Sequence, residues 1–162
     1  MKFFIILLLL IETSSFASDL HLNGSIYKDY ANSADISVSY DIVPRPMGGL
    51  ELALGSTSKK AKNAISSEEK NILGGFLGVN ITQNVGTTLL TNYKLRLGTE
   101  AQGKFQDLYF ENKLGLILTS DFPVTSRGAE FGIGWKGYFK DADKSNYRTE
   151  NIYIYPYVGI SI

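Results

Sequence analysis

The chain has 162 residues, with 16 Lys and Arg balanced by 16 Asp and Glu, a single His and no Cys. Without Cys there are no disulfides, no thiolate metal sites and no lipid-bearing N-terminal Cys. Balanced charge and the lack of a basic cluster interleaved with aromatics exclude the electrostatic footprint of a nucleic-acid binder.

The chain begins MKFFIILLLLIETSSFAS, with Lys2, an apolar run from Phe3 to Ile11, then small and polar residues. That three-part layout predicts a secretory signal peptide over residues 1–17, cleaved after Ala17. The run is too short for a membrane-spanning helix, which needs about 20 apolar residues. Roughly 145 residues remain, a length that predicts one domain over 18–162.

Eight segments then alternate apolar and polar residues: Leu20–Tyr30, Asp35–Val43, Leu50–Gly55, Asn71–Ile81, Thr87–Thr99, Phe105–Thr119, Gly128–Lys140 and Asn151–Ile162. Period-two alternation marks strands with two unlike faces. The breaks between them carry turn chemistry at Pro44–Gly49, Asn84-Val85-Gly86 and Asp121-Phe122-Pro123. Ser58–Lys70 is polar throughout, lacks an apolar stripe and reads as loop. The longer polar connections are Ala31–Ala34, Ser56–Lys70, Glu100–Lys104 and Asp141–Glu150; those after the second, fourth and sixth strands are mostly tighter.

One face of these strands is free of ionised residues. It runs through Ile36, Val38, Tyr40 and Ile42, continues in segments such as Leu73–Ile81 and Leu108–Leu118, and ends with Ile152, Ile154, Val158, Ile160 and Ile162. On the sixth strand only Asn112 interrupts it. The opposite face carries Asp41, Glu51, Lys94, Arg96, Glu111, Lys113, Glu130 and Lys136, with Tyr109, Tyr138, Tyr153, Tyr155 and Tyr157. An all-β, eight-stranded antiparallel up-and-down barrel accommodates both faces, with the charged one turned inward. Isolated buried charges cost several kcal/mol, so the charges must pair. The predicted interior cluster is Lys94–Glu111–Lys136 with Arg96 nearby, among Lys113 and Glu130. Glycines within the strands leave room for large charged neighbours in a narrow lumen. The alternation also fits a soluble lipocalin-like or avidin-like cup, with Phe, Leu and Trp135 inward and charges in water.

The leader, the eight alternating segments, glycine-rich strands such as Phe131-Gly132-Ile133-Gly134-Trp135 and the ending Val158-Gly159-Ile160-Ser161-Ile162 together resemble the small eight-stranded outer-membrane β-barrel superfamily of Gram-negative bacteria. The resemblance spans Ser18–Ile162 and points to no subfamily. It implies a transmembrane barrel in the cell outer membrane, contact with outer-membrane lipid and lipopolysaccharide, and insertion by the barrel-assembly machinery, which reads such a C-terminal strand. Two departures stand out. The family usually ends on Phe or Trp, whereas this chain ends on Ile162. Pro156 lies within the last strand, where it predicts a bulge or a weak seam because it has no N–H for a ladder.

Some members of that superfamily modify lipid A with a His and a nearby Ser. Here His21 is the only His, and Ser25 lies on the same strand face about 13 Å away, beyond hydrogen-bond reach. A Ser on another strand remains open, but His21 is expected to be a rim residue. There is no Walker-type loop, HExxH or Cys/His metal spacing, so the sequence predicts no cofactor and no metal site. The reading is therefore a non-enzymatic, porin-like envelope barrel with a structural or surface-contact role. Its loops display any binding surface, and Lys59, Lys60 and Lys62 are placed to meet lipopolysaccharide phosphates. The alternatives are the soluble cup binding a small apolar ligand and a lipid A-modifying barrel enzyme.

Overall fold

A computed structural model describes residues 20–28, 32–43, 48–62, 69–102, 105–119, 127–139 and 152–162. The expected signal peptide, the turn at Asp121–Pro123 and the connection Asp141–Glu150 lie outside the described residues. The strands are β1 (Leu20–Lys28), β2 (Asn32–Val43), β3 (Gly48–Lys62), β4 (Glu69–Asn84), β5 (Leu89–Gln102), β6 (Phe105–Leu118), β7 (Gly128–Tyr138) and β8 (Ile152–Ser161). Each pairs antiparallel with its neighbour in the chain, and β8 pairs back with β1, closing a barrel in the order β1 to β8. The expected all-β, eight-stranded, up-and-down architecture is present.

Strand extents differ from expectation at several ends: Asn32–Ala34, read as part of a connection, open β2, Gly48 and Gly49, read as turn, open β3, and β4 and β5 run on to Asn84 and Gln102. The largest difference lies between β3 and β4. Residues 56–62 and 69–70, read as loop, continue β3 and β4, which pair from Gly48↔Gln83 to Lys62↔Glu69. Beyond Leu54 the outward residues become polar (Ser56, Ser58, Lys60) while Thr57 and Lys59 are buried. With both faces polar the hydrophobic alternation disappears, although the backbone ladder continues. Glu100, placed in a connection, lies within β5 for the same reason. The turn at Asn84–Gly86 forms as expected: Asn84 Oδ1 accepts the Gly86 N–H at 2.9 Å, a side chain mimicking a backbone turn.

The apolar face is the outside. Ile36, Leu54, Leu73, Leu97, Leu114, Ile133, Ile154 and Ile160 are all exposed, whereas Lys94, Arg96, Glu111, Lys113 and Lys136 are buried within the barrel. Asn112 lies on the outer face but is covered, and its Oδ1 accepts the Tyr93 hydroxyl proton at 2.6 Å.

The interior is packed by rings as well as charges. Tyr27 stacks on Tyr155 with centroids 4.6 Å apart, and Tyr138 meets Tyr153 edge-on at 5.9 Å. Glycines make the room. A Cβ on Gly98 would run into the Tyr109 ring, one on Gly134 into Tyr155, and one on Gly55 into Phe76. The sequence assigned this room to charged neighbours. That holds for Gly78, where a Cβ would meet Arg96 Cγ at 2.7 Å, and for Gly74, where it would meet Glu100 Cγ at 2.8 Å, but aromatic rings take the space at Gly55, Gly98 and Gly134.

The ladder that closes the barrel is short. Among the described residues five Cα pairs join β1 and β8, from Asn23↔Ser161 to Tyr27↔Tyr157. Leu22 and Ile162 add a reciprocal pair of N–H···O bonds at 3.1 and 3.0 Å. Antiparallel ladders alternate hydrogen-bonded and non-bonded pairs. Counting from Leu22 and Ile162, the bonded pairs are Gly24 with Ile160 and Ile26 with Val158. The next would join Lys28 to Pro156, which has no N–H, and the ladder stops at Tyr157. On its other side Pro156 pairs with Ile133, and the β7–β8 register runs through without a break. At Pro156 no bulge forms, and among the described residues the β1–β8 ladder ends beside it at Tyr157. The register shift in the described ladders falls instead between Asp41 and Val43 in β2–β3.

Candidate functional site

Period-two geometry fixes which side chains enter the lumen, and the pairing register fixes which of them meet. Arg96 lies opposite Glu111 across β5–β6, and Glu111 lies opposite Lys136 across β6–β7. The same register sets Lys94 opposite Lys113. Two like charges side by side repel, so each turns to a carboxylate elsewhere. Lys94 Nζ bonds Glu130 Oε2 at 2.5 Å. Lys113 Nζ bonds Asp35 Oδ2 at 2.6 Å, across the lumen on β2. Arg96 also donates to Asp35 through Nη1, and lies 3.6 Å from Glu111 Oε2.

These contacts revise the predicted Lys94–Glu111–Lys136 cluster. Its members are all buried in the lumen, and Arg96 lies beside Glu111 as expected. Lys94, however, pairs with Glu130, and Lys136 pairs with Glu100. Glu111 receives the Tyr155 hydroxyl, with Arg96 and, at 3.9 Å, Lys113 nearby. The reason is reach: Lys136 stands directly opposite Glu111, but its long stem carries Nζ over the Tyr109 ring, with 3.8 Å to the centroid, to Glu100. Glu130 is held by three donors: Lys94, Tyr157 Oη at 2.6 Å and Asn92 Nδ2 at 3.2 Å.

Two residues central to this arrangement went unidentified. Asp35 joins Arg96 and Lys113; its place on the wet face of β2 was legible, but contact across a lumen between distant strands leaves no local signal. Glu100 was hidden by its assignment to a connection. It accepts from Lys136 and from Tyr138 Oη, the latter at 3.0 Å.

The proposed lysine contact surface changes as well. Lys59 belongs to β3, is buried, and lies 5.2 Å from the Tyr153 ring centroid, so it is not a loop contact. Lys60 is exposed and forms a 2.5 Å ion pair with Glu69. Lys62 ends β3 opposite Glu69 in the ladder; its side chain lies outside the described residues.

His21 is not at the rim. It is 1% exposed, inside the barrel near the end that carries residues 20 and 162. Its Nε2 lies 3.2 Å from Asp41 Oδ2. Ser39 is directly opposite on β2, but its Oγ donates to Glu51 Oε2 and accepts from Asn23 Nδ2, each at 2.9 Å. The other imidazole nitrogen, Nδ1, has no hydrogen-bond partner. A nucleophilic Ser needs a hydrogen bond to its base, and His21 and Ser39 do not make one.

Fold and lumen together define a closed eight-stranded antiparallel β-barrel with an ion-paired polar interior and an apolar exterior. No known protein family, curated protein or solved structure matches the chain.

Proposed function

We propose that this protein is a non-enzymatic barrel of the bacterial outer membrane, crossing it with all eight strands and presenting its connections as any contact surface. The observation that carries this reading is the outer belt. On β6 it runs from Leu108 to Leu118, and among the described residues it contains no Asp, Glu, Lys or Arg. Eleven strand residues at roughly 3.4 Å each, tilted about 45°, stand roughly 25 Å tall, which is the apolar height expected of outer-membrane barrels. The exposed charged residues Lys28, Lys60 and Glu69 fall at one end of the barrel and Arg127 at the other, as interfaces require. Aromatics such as Tyr93, Phe110, Trp135 and Phe139 stand on the outer surface, two of them in contact at 5.6 Å; such side chains favour membrane interfaces. A soluble protein exposing so continuous an apolar belt would aggregate. The cup alternative needs an apolar lumen, whereas here the lumen is ionic and Ile133 faces out.

On this reading the barrel contacts outer-membrane lipid and lipopolysaccharide and is inserted by the assembly machinery. Lys60 remains the described candidate for phosphate contact. Fractionation tests the assignment. The tagged chain should sediment with outer membranes, partition with detergent, and migrate differently on gels before and after boiling. Recovery in the soluble periplasmic fraction would overturn it.

A further inference from the structure

We propose that His21, Asp41 and Glu51 form a binding site for one divalent transition-metal ion of the Zn²⁺ type inside the lumen. The three side chains come from β1, β2 and β3, are all buried, and each offers a donor atom within 4.8 Å of the others. One imidazole nitrogen with two carboxylates is a donor set suited to Zn²⁺, which takes His and carboxylate ligands at about 2.0–2.2 Å. Tetrahedral bonds of that length separate neighbouring donors by roughly 3.3 Å. The Nε2 to Oδ2 spacing of His21 and Asp41, 3.2 Å, already matches. Glu51, on its longer stem, has only to swing inward.

Independent observations point into the same place. Asp41 and Glu51 are direct partners in the β2–β3 ladder, which sets two carboxylates side by side. The register shift immediately after Asp41 is the kind of irregularity that re-aims a side chain at a functional site. Asn80, 1% exposed, brings its amide to 3.2 Å from Glu51 Oε2, yet its Oδ1 has no partner. His21 Nδ1 is buried and likewise unpartnered. Buried polar atoms are nearly always satisfied. An ion at this point gives the Asn80 oxygen a cation to face after rotation of the amide. Asn23 donates to Ser39, which in turn donates to Glu51, and the two form the outer layer of hydrogen bonds that orients metal ligands.

The site lies at the end holding residues 20 and 162, and it stands whether or not the outer belt meets lipid. The test uses the folded full-length chain, stripped with chelator and titrated with ZnCl₂ by calorimetry. The expected result is one ion per chain. Glu51→Gln should weaken binding by more than the ~10–100-fold typical of losing an outer partner, while Glu69→Gln on the exposed surface leaves it unchanged. In case Glu51→Gln does not fold, Co²⁺ added to the unsubstituted chain gives a second readout. Visible absorption bands of a low-coordinate nitrogen–oxygen site support the proposal, and a spectrum no different from aqueous Co²⁺ overturns it. Absence of stoichiometric Zn²⁺ binding, or equal affinity in a folded Glu51→Gln chain, also overturns it.

Discussion

Replacing Asp35 with Ala leaves two buried cations with, among the described residues, Glu111 alone at 3.6 and 3.9 Å, because Arg96 and Lys113 both direct a donor to the Asp35 Oδ2. Breaking a buried pair from one side costs about 3–5 kcal/mol. Urea unfolding of Asp35→Ala in detergent should show a loss of that order; a loss below about 1 kcal/mol would mean that water reaches the pair. Glycine sites give an equally local prediction. In Gly134→Ala the new methyl enters the space of the Tyr155 ring, and overpacking of this kind costs about 1–3 kcal/mol. The same change at Gly86, where nothing lies within 4 Å, should leave the unfolding midpoint within the scatter of surface substitutions, about 0.5 kcal/mol. At this scale the sequence was informative about direction and silent about partners. Parity placed Lys94, Arg96, Glu111 and Lys136 in the lumen; which carboxylate each lysine reaches depends on side-chain length and on strands far away in the chain.

At the scale of the strands, the β1–β8 ladder is the weakest closure, since Pro156 occupies a position where a bonded pair would form. Pro156→Thr supplies the missing N–H opposite Lys28 and should raise stability by about 0.5–1.5 kcal/mol, the worth of one hydrogen bond. Amide exchange followed by mass spectrometry should show the β1–β8 amides exchanging before those of the long β3–β4 ladder, since opening is easiest where fewest bonds hold. Uniform protection around the barrel would refute the idea of a seam. Strand existence was legible wherever one face is apolar, as in Asp35–Val43 or Leu108–Leu118. It became illegible at Ser56–Lys62 and near Glu100, because a strand leaving the apolar belt loses contrast between its faces while keeping its backbone bonds. The kinship of Asp41, Glu51 and His21 was hidden for a related reason: three neighbouring strands converge there, and no spacing within one segment records it.

For the whole molecule, the proposed membrane assignment makes outward and inward substitutions behave differently. Leu114, exposed midway along β6, should tolerate Arg poorly in lipid, at a cost of about 2–4 kcal/mol at the bilayer midplane. Leu114→Arg should therefore fold less readily into vesicles than the unsubstituted chain, and equal folding would count against a lipid-facing belt. The lumen's ion pairs have a further consequence for assembly. Lys113 finds its carboxylate 78 residues away in the chain and Arg96 finds the same one 61 residues away. Both bridges cross from β5 or β6 to β2, strands that are not adjacent in the sheet. An open sheet therefore holds its cations and Asp35 apart however many strands have paired, and neutrality arrives only with the curvature that brings opposite walls together. If the belt meets lipid as proposed, a partly rolled sheet has no resting place in hydrocarbon, and the transition from unrolled to sealed cylinder is cooperative, with electrical balance as its final step.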